Sequence, residues 1–111
     1  MPAWLAAAAG LAVLAAAPAE TSAPRPGVAH GARVAQRQCA GCHAVGSAGR
    51  SPNSGAPTFR DLSQRYSPLA LEESLKRVST QGHFEMRARS ISSSEAADLA
   101  AYIESLSSPD K

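Results

Sequence analysis

Aromatic side chains are scarce, with one Trp, two Tyr and two Phe among 111 residues. Trp4 lies in an apolar N-terminal run, so Phe59, Tyr66, Phe84 and Tyr102 are the aromatics left for a folded core. A core this thin excludes a second domain and asks for a staple that supplies extra apolar volume. β-Branched residues are also sparse and nowhere alternate for long, which removes the strand signature and leaves an all-α class. Cysteine is limited to two residues, so no second pair exists to complete a zinc site of the common kind. A formal charge of +2 gives no electrostatic footprint for nucleic acid.

Long apolar runs are absent as well. Trp4 to Ala17 is continuous Ala, Leu, Val, Trp and Gly, too short to span a bilayer comfortably and suited to the core of a secretory signal peptide. Ala17-Pro18-Ala19 offers a small-x-small cleavage site, and cutting after Ala19 avoids placing Pro18 or Pro24 just beyond the bond. No Lys or Arg precedes the run, so the α-amino group alone would be its positive end. An uncleaved anchor or a buried Ala-rich helix are the competing readings. The expected division is 1–19 signal peptide, 20–27 flexible leader carrying Pro24 and Pro26, and 28–111 folded domain. Export followed by cleavage implies a periplasmic protein with no stable membrane insertion.

Charge is uneven. Six Arg against Glu20 and Asp61 give +4 between Glu20 and Arg65, whereas five basic residues against seven acids give −2 from Tyr66 to Lys111. This is either an ordinary solvated surface or a mildly basic face that steers an acidic partner.

Apolar spacing places a first helix from about Val28 into Cys39, through Ala32 and Ala35. Gly46 to Pro57 is dense in Gly, Pro and Ser and reads as a long loop, of a kind that is functional or disordered in so small a domain. Phe59 to Tyr66 fits a short helix. Ser67-Pro68 reads as cap and first position of another, with Leu71, Leu75 and Val78 on its apolar side and Gln81-Gly82 as its stop. Ser92-x-x-Glu95 is a capping box, followed by Ala96, Leu99, Ile103 and Leu106 on one face and Asp98, Ala101, Glu104 and Ser105 mainly on the other.

The densest chemical signal is Cys39-Ala40-Gly41-Cys42-His43. Residues three apart on a helical turn lie on one side, so both thiols can reach the vinyl groups of one porphyrin while the following imidazole faces its iron. A thioredoxin-like dithiol would need a βαβ context, a zinc site would need two more ligands at short spacing, and a structural disulfide remains a third alternative. If haem is bound, His43 leaves a sixth iron position to fill. Once the signal peptide is removed, Met86 is the only thioether, in a loop between the Gly82 stop and the Ser92 cap. His83 in the same loop and His30 are rival ligands, and an open site is a further alternative.

With these motifs the chain resembles the class I c-type cytochromes, in particular the small monohaem proteins of bacterial periplasms, from Val28 to Leu106. The resemblance implies a small helical fold around one covalent haem c held by Cys39 and Cys42, with His43 and Met86 as axial ligands to iron. Pro57 matches the loop proline whose carbonyl accepts a hydrogen bond from the far ring nitrogen of the ligand histidine. Gly31 matches the first-helix glycine, and Tyr102 the last-helix aromatic, that pack together. Arg87 stands where these proteins commonly carry proline after the methionine. The resemblance further implies haem attachment outside the cytoplasmic membrane. The expected function is single-electron transfer without catalysis, between a donor dehydrogenase and an acceptor oxidase or reductase, as a monomer or as a subunit of a complex. The alternatives are an obligate subunit of a periplasmic dehydrogenase and a haem sensor or peroxidase with an open sixth position.

Overall fold

The computed structural model describes residues 3–4, 7–14, 26–83 and 86–107. The cleavage site near Ala19 and the aromatic Phe84 lie outside them. The elements are α1 (Pro26–Gln38), α2 (Phe59–Arg65), α3 (Pro68–Gln81) and α4 (Ser93–Ser105). The one β feature among the described residues is an isolated bridge between His83 and Met86. No described helix is long and apolar enough to cross a membrane. Trp4, Leu11, Val13 and Leu14 are exposed, so the described part of the N-terminal run adds nothing to the core.

Local chemistry sets most helix ends. Ser67 and Ser92 accept the Ala70 and Glu95 amides, and Glu95 returns a bond to the Ser92 amide to complete its box. Thr58 caps α2 in the same way through the Asp61 amide. α1 begins at Pro26, two residues before the expected Val28; proline suits a first helical position because its missing N–H would have no helical acceptor there.

α4 packs mainly on α1 and also touches α3 and α2. Val34, Ala35, Phe59, Leu71, Leu99, Ala100 and Ile103 form the core. The α1–α4 crossing is close because Gly31 has no side chain: a Cβ there would lie 2.1 Å from the Asp98 carbonyl oxygen and 2.8 Å from Tyr102 Cβ. Tyr102 extends the contact by donating its hydroxyl to the Val45 carbonyl at 2.5 Å, and burial pushes its phenol above the ordinary value. Asp98, read from periodicity as an outward residue, is half-buried and pairs with His30 Nδ1 at 2.7 Å across the same crossing. Arg37 and Glu95 add a weaker link at 3.4 Å.

Gly31→Ala should force the two backbones apart. Overpacking strain of roughly 3 kcal/mol, offset by about 1 kcal/mol of improved helix propensity, leaves an expected loss of ~2 kcal/mol, measurable by thermal unfolding. Unchanged stability would show that the crossing yields without strain.

Candidate cofactor site

The helical path of α1 continues beyond Gln38: the Cys39 amide donates to Ala35 O at 2.9 Å and the His43 amide to Cys39 O at 2.9 Å. This turn brings both cysteines and His43 to one corner. Cys39 and His43 are buried and Cys42 is exposed. The long loop then folds back on the corner. The Asn53 amide donates to Cys42 O at 3.1 Å, the Ala44 amide to Ser51 Oγ at 2.9 Å and the Phe59 amide to Ala44 O at 2.9 Å.

The fold-back delivers Pro57 to His43. His43 Nδ1 lies 2.7 Å from the Pro57 carbonyl oxygen, and a carbonyl only accepts, so Nδ1 is the donor. The neutral ring therefore presents an unprotonated Nε2, the form in which imidazole binds a metal. Phe59 packs beside the ring, with centroids 5.5 Å apart and planes inclined at 46°.

Two cavities meet at this histidine. One, of about 300 Å³, is lined mainly by apolar side chains including Phe59, Leu62, Leu71, Leu75 and Val78, together with Cys39. The other, of about 320 Å³, opens on Cys42, Asn53 and Ala56. His43, Pro57, His83 and Met86 line both. A group bonded to both thiols must therefore reach into both cavities, between His43 and Met86. An apolar cleft with one free imidazole nitrogen, a thioether and two flanking thiols fits a porphyrin. A more open groove of about 470 Å³ beside Arg50, Asp61 and Arg65 contains none of Cys39, Cys42, His43 or Met86. Arg60 is engaged outside the cleft, donating to Gly49 O at 2.9 Å, while Tyr66 lines the apolar cavity.

Met86 is presented by a tight turn. Its amide donates to His83 O at 2.6 Å, and the His83 amide donates back to Met86 O at 3.0 Å. Met86 is half-buried and His83 exposed. Gly82 makes the turn possible: at φ 65 and ψ −167 it occupies a region almost restricted to glycine. A Cβ there would sit 2.4 Å from Met86 O and 2.8 Å from the Ala88 nitrogen. Gly82→Ala should cost roughly 1–3 kcal/mol and speed hydrogen exchange at the Met86 amide; unchanged exchange would free the turn from this constraint.

The rival chemistries find little support at this corner. Burial pushes the Cys39 thiol up to about 11, only partly opposed by the charge of Arg89, so little of the reactive thiolate exists at neutral pH. Among the described residues no group of three or more His, Cys, Asp or Glu side chains is placed to hold a metal ion. His30, engaged with Asp98, lines neither cavity. Sequence reasoning missed the packing of Phe59 on His43 and the Ser51 contact, both of which depend on the loop folding back.

Comparison with known proteins agrees with this geometry. The profile of the cytochrome c family matches residues 28–107. The chain is 36% identical over 94 residues to cytochrome c-552 of Bradyrhizobium diazoefficiens, covering 85% of this chain and 88% of that protein. No solved structure matches. A family match over most of the chain, a c-type relative of nearly the same extent and a Cys39-x-x-Cys42-His43 motif at an apolar cleft place this chain in the cytochrome c family, with covalent haem c and its iron as cofactor.

Proposed function

We propose that this cytochrome is a periplasmic monohaem carrier of single electrons, with iron ligated by His43 and Met86, that catalyses no reaction by itself. The observation that carries the reading is the pairing of a proton-fixed His43 with Met86 along the same two cavities. When bound, haem c supplies an iron that passes between ferric and ferrous states by one electron.

Each residue has a distinct task. Cys39 and Cys42 hold the porphyrin by thioether bonds, so that it survives repeated partner exchange. Pro57 fixes the ring orientation and tautomer of His43 and raises its basicity as a ligand. Met86 would supply the iron with a second ligand through a soft, neutral sulfur, a ligand type that favours the ferrous state more than imidazole does. Ligands kept in both states limit rearrangement on electron transfer. Cys42, exposed while Cys39 is buried, marks the edge nearest to solvent, where a donor dehydrogenase or an acceptor oxidase or reductase would meet the protein. Residues 1–19 act as the export signal, with cleavage near Ala19, and residues 20–27 as the leader into the domain, its last two residues, Pro26 and Gly27, already belonging to α1.

His83 borders the same cavities as Met86 and is the specific competitor for the sixth position. The greater burial of Met86 favours the thioether, which needs no water-exposed approach. Carbon monoxide added to the reduced protein should leave its spectrum unchanged. Rapid binding would point instead to an open site and to sensor or peroxidase chemistry. Isolated from its native periplasmic fraction, a free carrier should elute alone at monomer mass; elution with a dehydrogenase would make it a dedicated subunit.

A further inference from the structure

We infer that His83 is a second iron ligand of this cytochrome, taking the sixth position from Met86 when peroxide oxidises the Met86 thioether. The inference rests on the reading of His43 and Met86 as the ligands of the bound haem. His83 and Met86 pair as an isolated antiparallel bridge, the Met86 amide donating to His83 O at 2.6 Å and the His83 amide to Met86 O at 3.0 Å. Residues that exchange both backbone bonds stand directly opposite one another and project their side chains from one face, with Cβ atoms about 5 Å apart. Both residues accordingly line the same two cavities, together with His43. The remaining histidine, His30, lines neither and is engaged by Asp98.

The two neighbours on the turn are held differently. Met86 is half-buried and His83 exposed, and the His83 ring makes no hydrogen bond or ion pair among the described residues. Recruiting that ring therefore breaks no polar contact of the fold. Oxidation changes the competition between the two. The O–O bond of hydrogen peroxide breaks, one oxygen atom becomes the sulfoxide oxygen on Met86 Sδ, which gives up two electrons, and the other leaves as water with both protons. Met86 shares its cavity wall with Leu71, Leu75 and Val78, and a polar sulfoxide is costly to bury among such side chains. The His83 imidazole enters from the same face of the bridge, by rotation of its side chain. The iron then stays closed by nitrogen, offers no open position to further peroxide, and favours the ferric state until the sulfoxide is reduced.

In the test, ferric holoprotein and its His83→Ala and His83→Gln variants are treated with hydrogen peroxide at neutral pH, and oxidation at Met86 is located by peptide mass spectrometry. Each product is compared with its own untreated form by absorption, by ferric electron paramagnetic resonance and, after reduction, by carbon monoxide binding. The oxidised parent should lose the far-red charge-transfer band of methionine ligation, yet stay low-spin with the resonance of two imidazole ligands. It should bind carbon monoxide at least about tenfold more slowly than either oxidised variant. Both oxidised variants should turn high-spin. A high-spin oxidised parent would overturn the inference, as would oxidised variants that stay low-spin or a Met86 that excess peroxide leaves intact. The resonance of the oxidised parent decides alone if the variants do not retain haem. An untreated parent without the methionine band would remove the Met86 reading and this inference with it, whereas with the band present those adverse results count against His83 alone.

Discussion

Met86→Ala is expected to keep its covalent haem, lose the far-red methionine-to-iron charge-transfer band and fall in reduction potential by on the order of a quarter of the ~0.8 V that axial ligation spans. The physical reason is ligand type. A thioether donates less to ferric iron than a nitrogen or oxygen ligand does, so whichever of His83 or water replaces it favours the oxidised state. The fold should survive, because Met86 is half-buried and outside the core cluster. Absorption and redox titration of the purified variant check the claim. An unchanged band and potential would assign the sixth position to another residue, and His83→Ala would then be the variant that moves both.

The second large effect is loss of the cofactor altogether. Cys39→Ala combined with Cys42→Ala should yield little or no holoprotein, seen as the absence of covalent haem on a denaturing gel. The remaining chain should lose most of its helical circular dichroism. The core explains why: Phe59 and Leu71 belong both to the buried cluster and to the wall of the cleft, so without the porphyrin the core is open on one side. With few aromatics elsewhere, the remaining α1–α4 contact is too small to hold about eighty residues. A well-folded apoprotein would contradict this and would make the haem a passenger on a stable scaffold.

Helix starts and stops were readable from the sequence because their hydrogen bonds are local. The Ser92–Glu95 box, the Ser67 cap and the Gly82 stop each lie within a few residues of the groups they satisfy. The haem corner was readable for the same reason, since Cys39, Cys42 and His43 occupy one turn. Contacts made across the chain were not. Asp98 falls on the expected outer side of α4 by periodicity, yet its partner His30 is 68 residues away. Phe59 could be identified as a core residue, but its position against the ring of His43 depends on the Gly- and Ser-rich loop folding back through Ser51 and Asn53. Gly31 and Tyr102 form an intermediate case: resemblance suggested their pairing, and the clash that a Cβ at Gly31 would make with the Asp98 carbonyl oxygen supplies the reason that only glycine fits.

The central claim is that haem iron in this cytochrome is closed by His43 and Met86. The most direct measurement is an absorption spectrum, ferric and then ferrous, of protein matured in a host able to attach haem. The account predicts a low-spin ferric spectrum with the methionine band and a single sharp α-band on reduction. A high-spin ferric spectrum, or a low-spin one without the methionine band, would contradict it.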